Sequence, residues 1–231
     1  PRLAADPAVR LVVLTGAGQA FCSGGDVKGF AKRAADAAAG GTPAMSFDQR
    51  VNDLRRRVEV VRWLHEMPKP TLAVIPGAAA GAGLSLALAC DLRIASDDAK
   101  LTTAFAKVGL SGDFGGSYFM HHIVGAARAR ELYFSASVLR ADDALKLGLL
   151  NRVAPAAELA NAAKTWAREL AALPTVAVSY MKRNLNSAMH GSLGDTLDAE
   201  CIHMIRTFET EDHKGAAKAF VEKRKPKFGG R

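Results

Sequence analysis

Residues 69–96 read KPTLAVIPGAAAGAGLSLALACDLRIAS, and this stretch decides the fold. The apolar run at 72–75 predicts a strand that is buried on both faces. Small residues fill positions 76–83, and the apolar spacing at 84–89 then predicts a short helix. Small residues at a strand-to-helix turn let a ligand approach the backbone, and the start of a helix leaves N–H groups unpaired. The stretch therefore predicts either a site for a phosphate or a developing oxyanion, or a tight packing turn.

A second turn of the same kind lies earlier in the chain. Residues 10–15, RLVVLT, are a β-branched apolar run that predicts another buried strand, closed by Gly16. The sequence FCSGGD follows at 21–26, within a glycine-rich segment at 17–30 that predicts a loop. The backbone N–H groups of this loop have the same two interpretations, an anion site or a packing turn.

The remaining segments predict a wound α/β arrangement. Residues 31–45, rich in Ala and Gly, indicate a mobile connection, and Ser46 starts a helix that ends before Pro68. Short strands are predicted at 91–95, 100–103 and near 151–153, and the chain is mostly helical from about Ala126 onward. Because strands alternate with helices, we expect both faces of the sheet to be covered.

The composition is that of an ordinary globular protein. The 231 residues include 49% apolar and 23% charged side chains, which favours one large domain or one domain with a small appendage. No stretch reaches about 18 uninterrupted apolar residues, and no secretory leader opens the chain, so we expect no membrane span. Three widely spaced cysteines, Cys22, Cys90 and Cys201, argue against a disulfide framework or a zinc site. We expect a protein of the reducing cytoplasm.

The chain carries a formal net charge of +8, much of it near the C-terminus. Residues 214–231 hold seven Lys and Arg side chains against one acid, Glu222. Three further arginines at 55–57 fall on the polar side of a segment with helical apolar spacing. These clusters predict a solvated surface, a nucleic-acid site or a site for a polyanionic small molecule. The basic C-terminal segment lacks an RNP motif and interleaved aromatic residues, which counts against RNA.

Three familiar site motifs are excluded. The sequence GAAAGAG at 77–83 is not the G-x-G-x-x-G of dinucleotide-binding folds. No Gly-Lys-Ser/Thr occurs, so the chain has no P-loop. Ser85 lies in GLSLA rather than in the G-x-S-x-G of serine hydrolases.

Four segments, in this order and spacing, resemble the crotonase (enoyl-CoA hydratase/isomerase) superfamily. They are VVLTGAGQAFCSGGDVKGF at 12–30, the stretch at 69–96, AFAKVGLSGDFGG at 104–116 and AFVEKRKPKF at 219–228. The third segment is most similar to the epoxyphenylacetyl-CoA isomerase-like group. The resemblance implies an α/β spiral of ββα units over residues 1–188 and a helical C-terminal region at 189–231 that assembles homotrimers or dimers of trimers. It also implies a further strand pair and helix ahead of Pro1.

The resemblance also implies a site. The substrates would be acyl-CoA thioesters, with coenzyme A as part of the substrate, no other cofactor and no metal. The two backbone N–H groups of an oxyanion hole would belong to Ser23 and Ala82. The residues expected to bind the substrate and CoA are Ser23, Gly24, Gly25, Asp26, Val27, Gly81, Ala82, Phe220 and Lys223. Of these, Phe220 and Lys223 match positions close to the 3′-phosphate of CoA, on the same or a neighbouring subunit.

The departures from the family pattern favour one reaction. Hydratases of this family carry two glutamates at positions that hold Ser85 and Phe105 here. One carboxylate remains, Asp113, and a single carboxylate beside an enolate can move a proton between two carbons. We therefore expect an enoyl-CoA isomerase with Asp113 as its base, the pKa of Asp113 being raised by apolar neighbours. The alternatives are a 2-enoyl-CoA hydratase with atypical residues and a non-catalytic acyl-CoA- or RNA-binding relative. For Asp113 itself, the alternative is a structural residue of a turn or a helix N-cap before Gly115 and Gly116.

Overall fold

The computed structural model describes residues 2–39 and 45–231. Its helices are α1 (Arg2–Ala5), α2 (Val27–Ala38), α3 (Phe47–Glu66), α4 (Ala82–Leu88), α5 (Gly116–Ser135), α6 (Ala141–Lys146), α7 (Leu159–Ala171), α8 (Thr175–Ala188), α9 (Leu193–Phe208) and α10 (Glu211–Val221). Its strands are β1 (Val12–Thr15), β2 (Thr71–Ile75), β3 (Ala79–Ala80), β4 (Leu92–Ser96), β5 (Lys100–Thr102), β6 (Leu139–Arg140) and β7 (Arg152–Ala154), and a 3-10 helix spans Phe105–Val108. The alternation of strands and helices confirms the α/β class.

Four parallel strands form the main sheet, in the order β1-β2-β4-β7. All five residues of the central strand β2 are buried. Leu72 and Val74 pack in one apolar cluster with Trp166 of α7, whereas Ala73 and Ile75 pack in another with residues of α4 and α5. Successive side chains of a strand point to opposite faces, so this division shows that both faces of the sheet are covered, as the apolar run predicts.

The strand predicted at 10–15 is present as β1, but the prediction that it is buried was wrong. Within the described residues β1 lies at the edge of the main sheet, paired with β2 alone. Its side chains alternate, with Val13 exposed and Leu14 half-buried against the core. Only one face of this edge strand therefore contributes to the core.

Part of the small-residue stretch forms a strand of its own. Ala79 and Ala80 of β3 pair in parallel with β5, which pairs antiparallel with β6 to make a second, three-stranded sheet. The strand predicted at 100–103 is confirmed as β5. A two-residue strand such as β3 is too short to show periodicity, so the sequence does not predict it.

The mobile connection predicted at 31–45 was wrong over its first part. Helix α2 covers Val27–Ala38, and residues 40–44 lie outside the described residues. The Asp26 carboxylate precedes α2 and accepts a hydrogen bond from the Gly29 N–H at 2.9 Å, which is an N-cap contact. Alanine supplies much of the segment and is the strongest helix former, so capping and propensity together explain the helix.

The helix predicted to start at Ser46 is confirmed as α3. Ser46 and Gln49 form a capping box: the Ser46 Oγ accepts from the Gln49 N–H at 3.2 Å, and the Gln49 side chain accepts from the Ser46 N–H at 2.9 Å. The helix ends at Glu66, before Pro68, as predicted.

The three arginines at 55–57 lie on the exposed side of α3. Each is paired with an acid on the same helix: Arg55 with Glu59 at 2.6 Å, and Arg56 and Arg57 with Asp53 at 3.4 and 2.7 Å. Exposed pairs at this spacing contribute little to stability, because solvent screens their charges. The geometry supports the interpretation of this cluster as a solvated helix face.

The C-terminal region predicted at 189–231 is helical, as expected, and consists of α9, α10 and a short tail. Helix α9 packs against α8. Several large apolar side chains of α9 are exposed in the single chain, namely Leu193, Leu197, Ile202, Met204, Ile205 and Phe208.

Across residues 2–39 and 45–231, no helix is long and apolar enough to cross a membrane. In the same residues, no group of three or more His, Cys, Asp or Glu side chains is placed to hold a metal ion.

Candidate active site

The two glycine-rich turns lie side by side. Cys22 forms a parallel β-bridge with Ala79, and the Ala80 N–H donates to the Cys22 carbonyl at 2.9 Å. The Phe21 and Cys22 N–H groups both donate to the Ala78 carbonyl, at 3.0 and 3.2 Å. The first turn therefore runs alongside β3, although the two segments are more than fifty residues apart in sequence.

This close approach requires glycine on both sides. A Cβ on Gly83 would lie 2.1 Å from the Cys22 carbonyl oxygen. A Cβ on Gly24, which has a φ of +92°, would lie 2.9 Å from the Ala80 carbonyl oxygen and 3.7 Å from the Ala82 nitrogen. Gly24, next to Ser23, therefore lies against the residues that precede the Ala82 N–H.

The Ser23 and Ala82 N–H groups are both free donors. Within the described residues neither makes a hydrogen bond, and Ala82 is the first residue of α4, where an N–H has no partner inside the helix. Two such groups on neighbouring backbone segments can both donate hydrogen bonds to one negatively charged oxygen. Free N–H donors on two adjacent turns are what an oxyanion hole requires.

Asp113 lies in a turn rich in left-handed backbone. Gly112, Phe114 and Gly115 have φ values of +107°, +50° and +67°, and the Gly116 N–H donates to the Asp113 carbonyl at 3.1 Å. Gly115, not Asp113, caps α5, and no side chain contributes to that cap. Of the two structural alternatives, the structure does not place Asp113 as a helix cap, but it does place it in a turn.

The Asp113 carboxyl group is partly buried and poorly satisfied. Its Oδ1 is buried and has no hydrogen-bond partner among the described residues. Burial raises the pKa of Asp113, and no charged side chain contributes to this shift. The rise agrees in direction with the sequence-based expectation, and a raised pKa suits a carboxyl group that takes up and returns a proton.

Phe105 connects the two halves of the site. A Cβ on Gly81 would lie 3.6 Å from the Phe105 ring, and a Cβ on Gly112 would lie 3.5 Å from the same ring. These glycines directly precede Ala82 and Asp113. One buried ring therefore separates the start of α4 from the Asp113 turn, so the two segments line the same region.

Ser85 is buried beneath this region. Its Oγ donates to the Gly81 carbonyl at 3.3 Å, and a Cβ on Gly116 would lie 2.2 Å from that Oγ. Neither Ser85 nor Phe105 supplies a carboxylate at the positions where the resemblance places the glutamates of hydratases. Tyr133, which no sequence motif marks, also lies here: its ring stacks on Phe105 with centroids 6.2 Å apart and an interplanar angle of 17°.

The remaining expected binding residues fall in two places. Gly25 and Val27 lie at the start of α2, where the Val27 N–H donates to the Gly25 carbonyl at 2.9 Å and the Asp26 side chain serves as the N-cap. Phe220 and Lys223 are exposed at the end of α10. No hydrogen bond among the described residues joins these two to the turns.

Comparison with known proteins gives a consistent family. The family model described as Enoyl-CoA hydratase/isomerase matches residues 1–231. The 1,2-epoxyphenylacetyl-CoA isomerase of Escherichia coli (strain K12) is 36% identical over 228 residues, covering 98% of this chain and 83% of that protein. A short-chain-enoyl-CoA hydratase of Clostridium acetobutylicum is 34% identical over 221 residues, covering 95% of this chain and 80% of that protein.

A solved structure of an enoyl-CoA hydratase from Polaromonas sp. JS666 superimposes with a TM-score of 0.88 at 31% identity, covering 98% of this chain and 85% of that one. The fold is therefore the crotonase-type α/β spiral that the resemblance implies. The chain belongs to the enoyl-CoA hydratase/isomerase family and is an acyl-CoA enzyme of the crotonase superfamily.

Proposed function

We propose that the protein is an enoyl-CoA isomerase that uses Asp113 as a single base. The observation that carries this proposal is the Asp113 carboxyl group, whose Oδ1 is buried without a partner and whose pKa is raised by burial. The positions of the hydratase glutamates hold Ser85 and Phe105, so the site offers one carboxylate for proton transfer.

The reaction follows from this arrangement. Asp113 takes a proton from C2 of a 3-enoyl-CoA, and the electrons move onto the thioester oxygen to give a dienolate. The Ser23 and Ala82 N–H groups donate to that oxygen, where the negative charge develops. Asp113 then returns the proton to C4, so the double bond lies between C2 and C3 and no atom is gained or lost.

A hydratase is the second candidate, since a relative of comparable identity bears that name. Hydration needs one group to orient and deprotonate water and another to protonate the α-carbon. Asp113 alone does not supply both roles, and Ser85 already donates to the Gly81 carbonyl. These contacts favour isomerisation.

Recognition of CoA is assigned to the basic C-terminal segment as part of the same proposal. Phe220 is exposed for stacking on the adenine, and Lys223 forms no ion pair among the described residues. An exposed Lys near an exposed aromatic ring suits the 3′-phosphate end of CoA.

We assign the exposed apolar side chains of α9 to a contact between copies in a trimer, and we place the enzyme in the cytoplasm. CoA enters with the substrate, and no other cofactor, metal or nucleic acid is needed.

The test compares wild type with Asp113→Asn on panels of 2-enoyl- and 3-enoyl-CoA, following product formation and deuterium exchange at C2. Asp142→Asn, on the exposed surface of α6, is the matched control. We expect isomerase activity to fall by about 10²- to 10⁴-fold in Asp113→Asn and to stay unchanged in the control. Full isomerase activity in Asp113→Asn would show that the one-base mechanism is wrong. Hydration of crotonyl-CoA that survives Asp113→Asn would instead support the hydratase.

A further inference from the structure

Helix α5 is broken in a way that returns its second half to the active site. Gly125, inside α5, has φ and ψ of 77° and 166°, which are not helical. In an unbroken helix the seventeen-residue separation of Gly116 and Tyr133 would correspond to about 25 Å. Here a Cβ on Gly116 would lie 2.6 Å from the Tyr133 hydroxyl oxygen. The break therefore places Tyr133 beside the turn that contains Asp113.

Tyr133 contacts this turn on both sides of Asp113. A Cβ on Gly112 would lie 3.2 Å from Tyr133 Cε1, and the hydroxyl lies against Gly116. The Tyr133 ring is itself packed against Phe105, whose ring stacks on it. The tyrosine ring is thus a support under the turn. A side chain at Gly116 would collide with the Tyr133 hydroxyl, and one at Gly112 would press against the ring.

The Oδ1 atom of Asp113 is buried and has no hydrogen-bond donor among the described residues. Within the same residues, the Tyr133 hydroxyl makes no hydrogen bond either. Burial and the negative charge of Asp113 raise the pKa of Tyr133 to about 12, so the phenol stays protonated at neutral pH. The neighbouring Ser85 hydroxyl donates to the Gly81 carbonyl instead. The Tyr133 hydroxyl is therefore a neutral hydrogen-bond donor, near enough to Asp113 for the charge of this carboxylate to raise its pKa, and Asp113 Oδ1 has no donor among the described residues.

We propose that Tyr133 is a positioning residue for Asp113: its ring supports the turn, and its hydroxyl is the hydrogen-bond donor of the carboxylate in the working enzyme. A donor to the ionised form stabilises that form and fixes its orientation toward the substrate carbon. This inference rests on the proposed role of Asp113 as base.

The test is Tyr133→Phe, which keeps the ring and removes the hydroxyl. Tyr118→Phe is the matched control, because Tyr118 also lies on α5 and its hydroxyl engages His190 Nδ1 at 3.1 Å instead. We expect Tyr133→Phe to lower kcat about tenfold with KM nearly unchanged, and to move the acidic limb of the pH–rate profile to higher pH. A ring that acted by packing alone would leave kcat and the acidic limb unchanged.

A second measurement does not depend on activity. The carboxyl carbons of Asp are labelled with ¹³C, and the Asp113 resonance is assigned by its loss in Asp113→Asn. Its titration should move to higher pH in Tyr133→Phe and stay in place in Tyr118→Phe. No movement of this titration, with an unchanged acidic limb, overturns the inference. If the titration moves but wild type isomerises no enoyl-CoA, the proposed function fails while the Tyr133–Asp113 relationship stands.

Fluorotyrosine gives a third route that needs no truncation at position 133. The chain has three tyrosines, so 3-fluorotyrosine can replace all of them, and the variant Tyr118→Phe removes one of the other two. A more acidic phenol donates a stronger hydrogen bond, so the Asp113 titration should move to lower pH. A titration that does not respond to fluorination would contradict the inference even if Tyr133→Phe failed to fold.

Discussion

Gly24 lies so close to the Ala80 carbonyl that a Cβ on this glycine would sit 2.9 Å from the carbonyl oxygen. The φ of Gly24 is +92°, a conformation that side-chain-bearing residues rarely adopt. Contact and conformation together make Gly24 the point where the Ser23 turn meets the segment leading to Ala82.

Gly24→Ala should therefore separate the two N–H donors. We expect kcat/KM for the enoyl-CoA substrate to fall about 10²- to 10³-fold, as it does when one oxyanion-hole donor is lost. Gly18→Ala is the control, because a Cβ at Gly18 meets nothing within 4 Å and its φ is not positive. Steady-state kinetics on both variants, with circular dichroism to check folding, measures the effect. Equal kinetics for the two variants would contradict the role assigned to this contact.

The activity should depend on pH through Asp113. The base acts in its ionised form, and burial raises its pKa. The acidic limb of the kcat/KM profile should therefore lie above the ordinary Asp pKa of about 3.9 and be absent from the residual activity of Asp113→Asn. A pH-rate profile from pH 4 to 9 measures it, and an acidic limb at the ordinary Asp value would show that burial does not tune this group.

The raised pKa of Asp113 also predicts that the ionised carboxylate destabilises the folded protein at neutral pH. Because the folded-state pKa of Asp113 is raised, the folded protein binds this proton more tightly than the unfolded chain does. Stability from this group is therefore full below the ordinary Asp pKa and falls as pH rises through the folded value. Asp113→Asn should therefore unfold with a higher free energy than wild type at pH 7, and this gain should shrink as the pH falls toward the ordinary Asp pKa. Urea denaturation at pH 7 and at about pH 4 tests this, and a destabilised variant at pH 7 would contradict it.

A buried ion pair joins α8 to the main sheet. Lys182 Nζ lies 2.8 Å from Asp91 Oδ2 and also donates to the Leu64 and Lys69 carbonyls at 2.9 and 3.2 Å. The same Asp91 oxygen accepts from the Thr71 N–H and hydroxyl at 2.8 and 2.9 Å. Removal of one partner leaves the other charge uncompensated in a largely buried place.

Lys182→Met should therefore lower the free energy of unfolding by about 3 kcal/mol. The control is Lys146→Met, whose pair with Asp143 is exposed and 3.4 Å long and should contribute less than about 0.5 kcal/mol. Chemical denaturation of both variants gives the two values. Similar losses of unfolding free energy in the two variants would show that burial does not strengthen the contribution of the Lys182–Asp91 pair.

Much of the fold could be predicted because its signals are local. The apolar run of β2 and the capping residue of α3 each lie within a few positions, so the sequence predicts both elements. The misjudged elements depend on distant partners. β1 is half exposed because of its place at the sheet edge, and β3 exists only because β5 lies beside it. α2 was not predicted, because the glycines at 24, 25 and 29 indicate a loop, whereas the alanine-rich part and the Asp26 cap stabilise a helix.

The residues of the site also fall into those that local sequence marks and those that only the packing of distant segments brings there. Asp113, Ser23 and Ala82 could be proposed because the family motifs mark them, whereas Tyr133 has no motif and reaches the site only through the break in α5. The signal that could have found Tyr133 is Gly125, a glycine within a helical pattern. Even so, the direction in which the chain returns is decided by packing rather than by local sequence.

Gly125 and Gly215 provide the last prediction, because both lie in helices and a Cβ on either meets nothing within 4 Å. They differ in backbone conformation: Gly125 has a φ of +77°, whereas Gly215 lies within the regular helix α10. Gly125→Ala should lower the free energy of unfolding by about 1–3 kcal/mol through backbone strain. Gly215→Ala should raise it by up to about 1 kcal/mol, because Ala is the better helix former.

Thermal and urea unfolding of the two variants gives the signs, and the activity of Gly125→Ala gives a second readout. Strain at Gly125 shifts the second half of α5, which carries Tyr133, so kcat should fall in this variant and stay unchanged in Gly215→Ala. A stabilised Gly125→Ala would mean that the helix can run straight through this position. A straight helix would carry Tyr133 away from the Asp113 turn. This displacement, rather than backbone strain, would then explain a lower kcat.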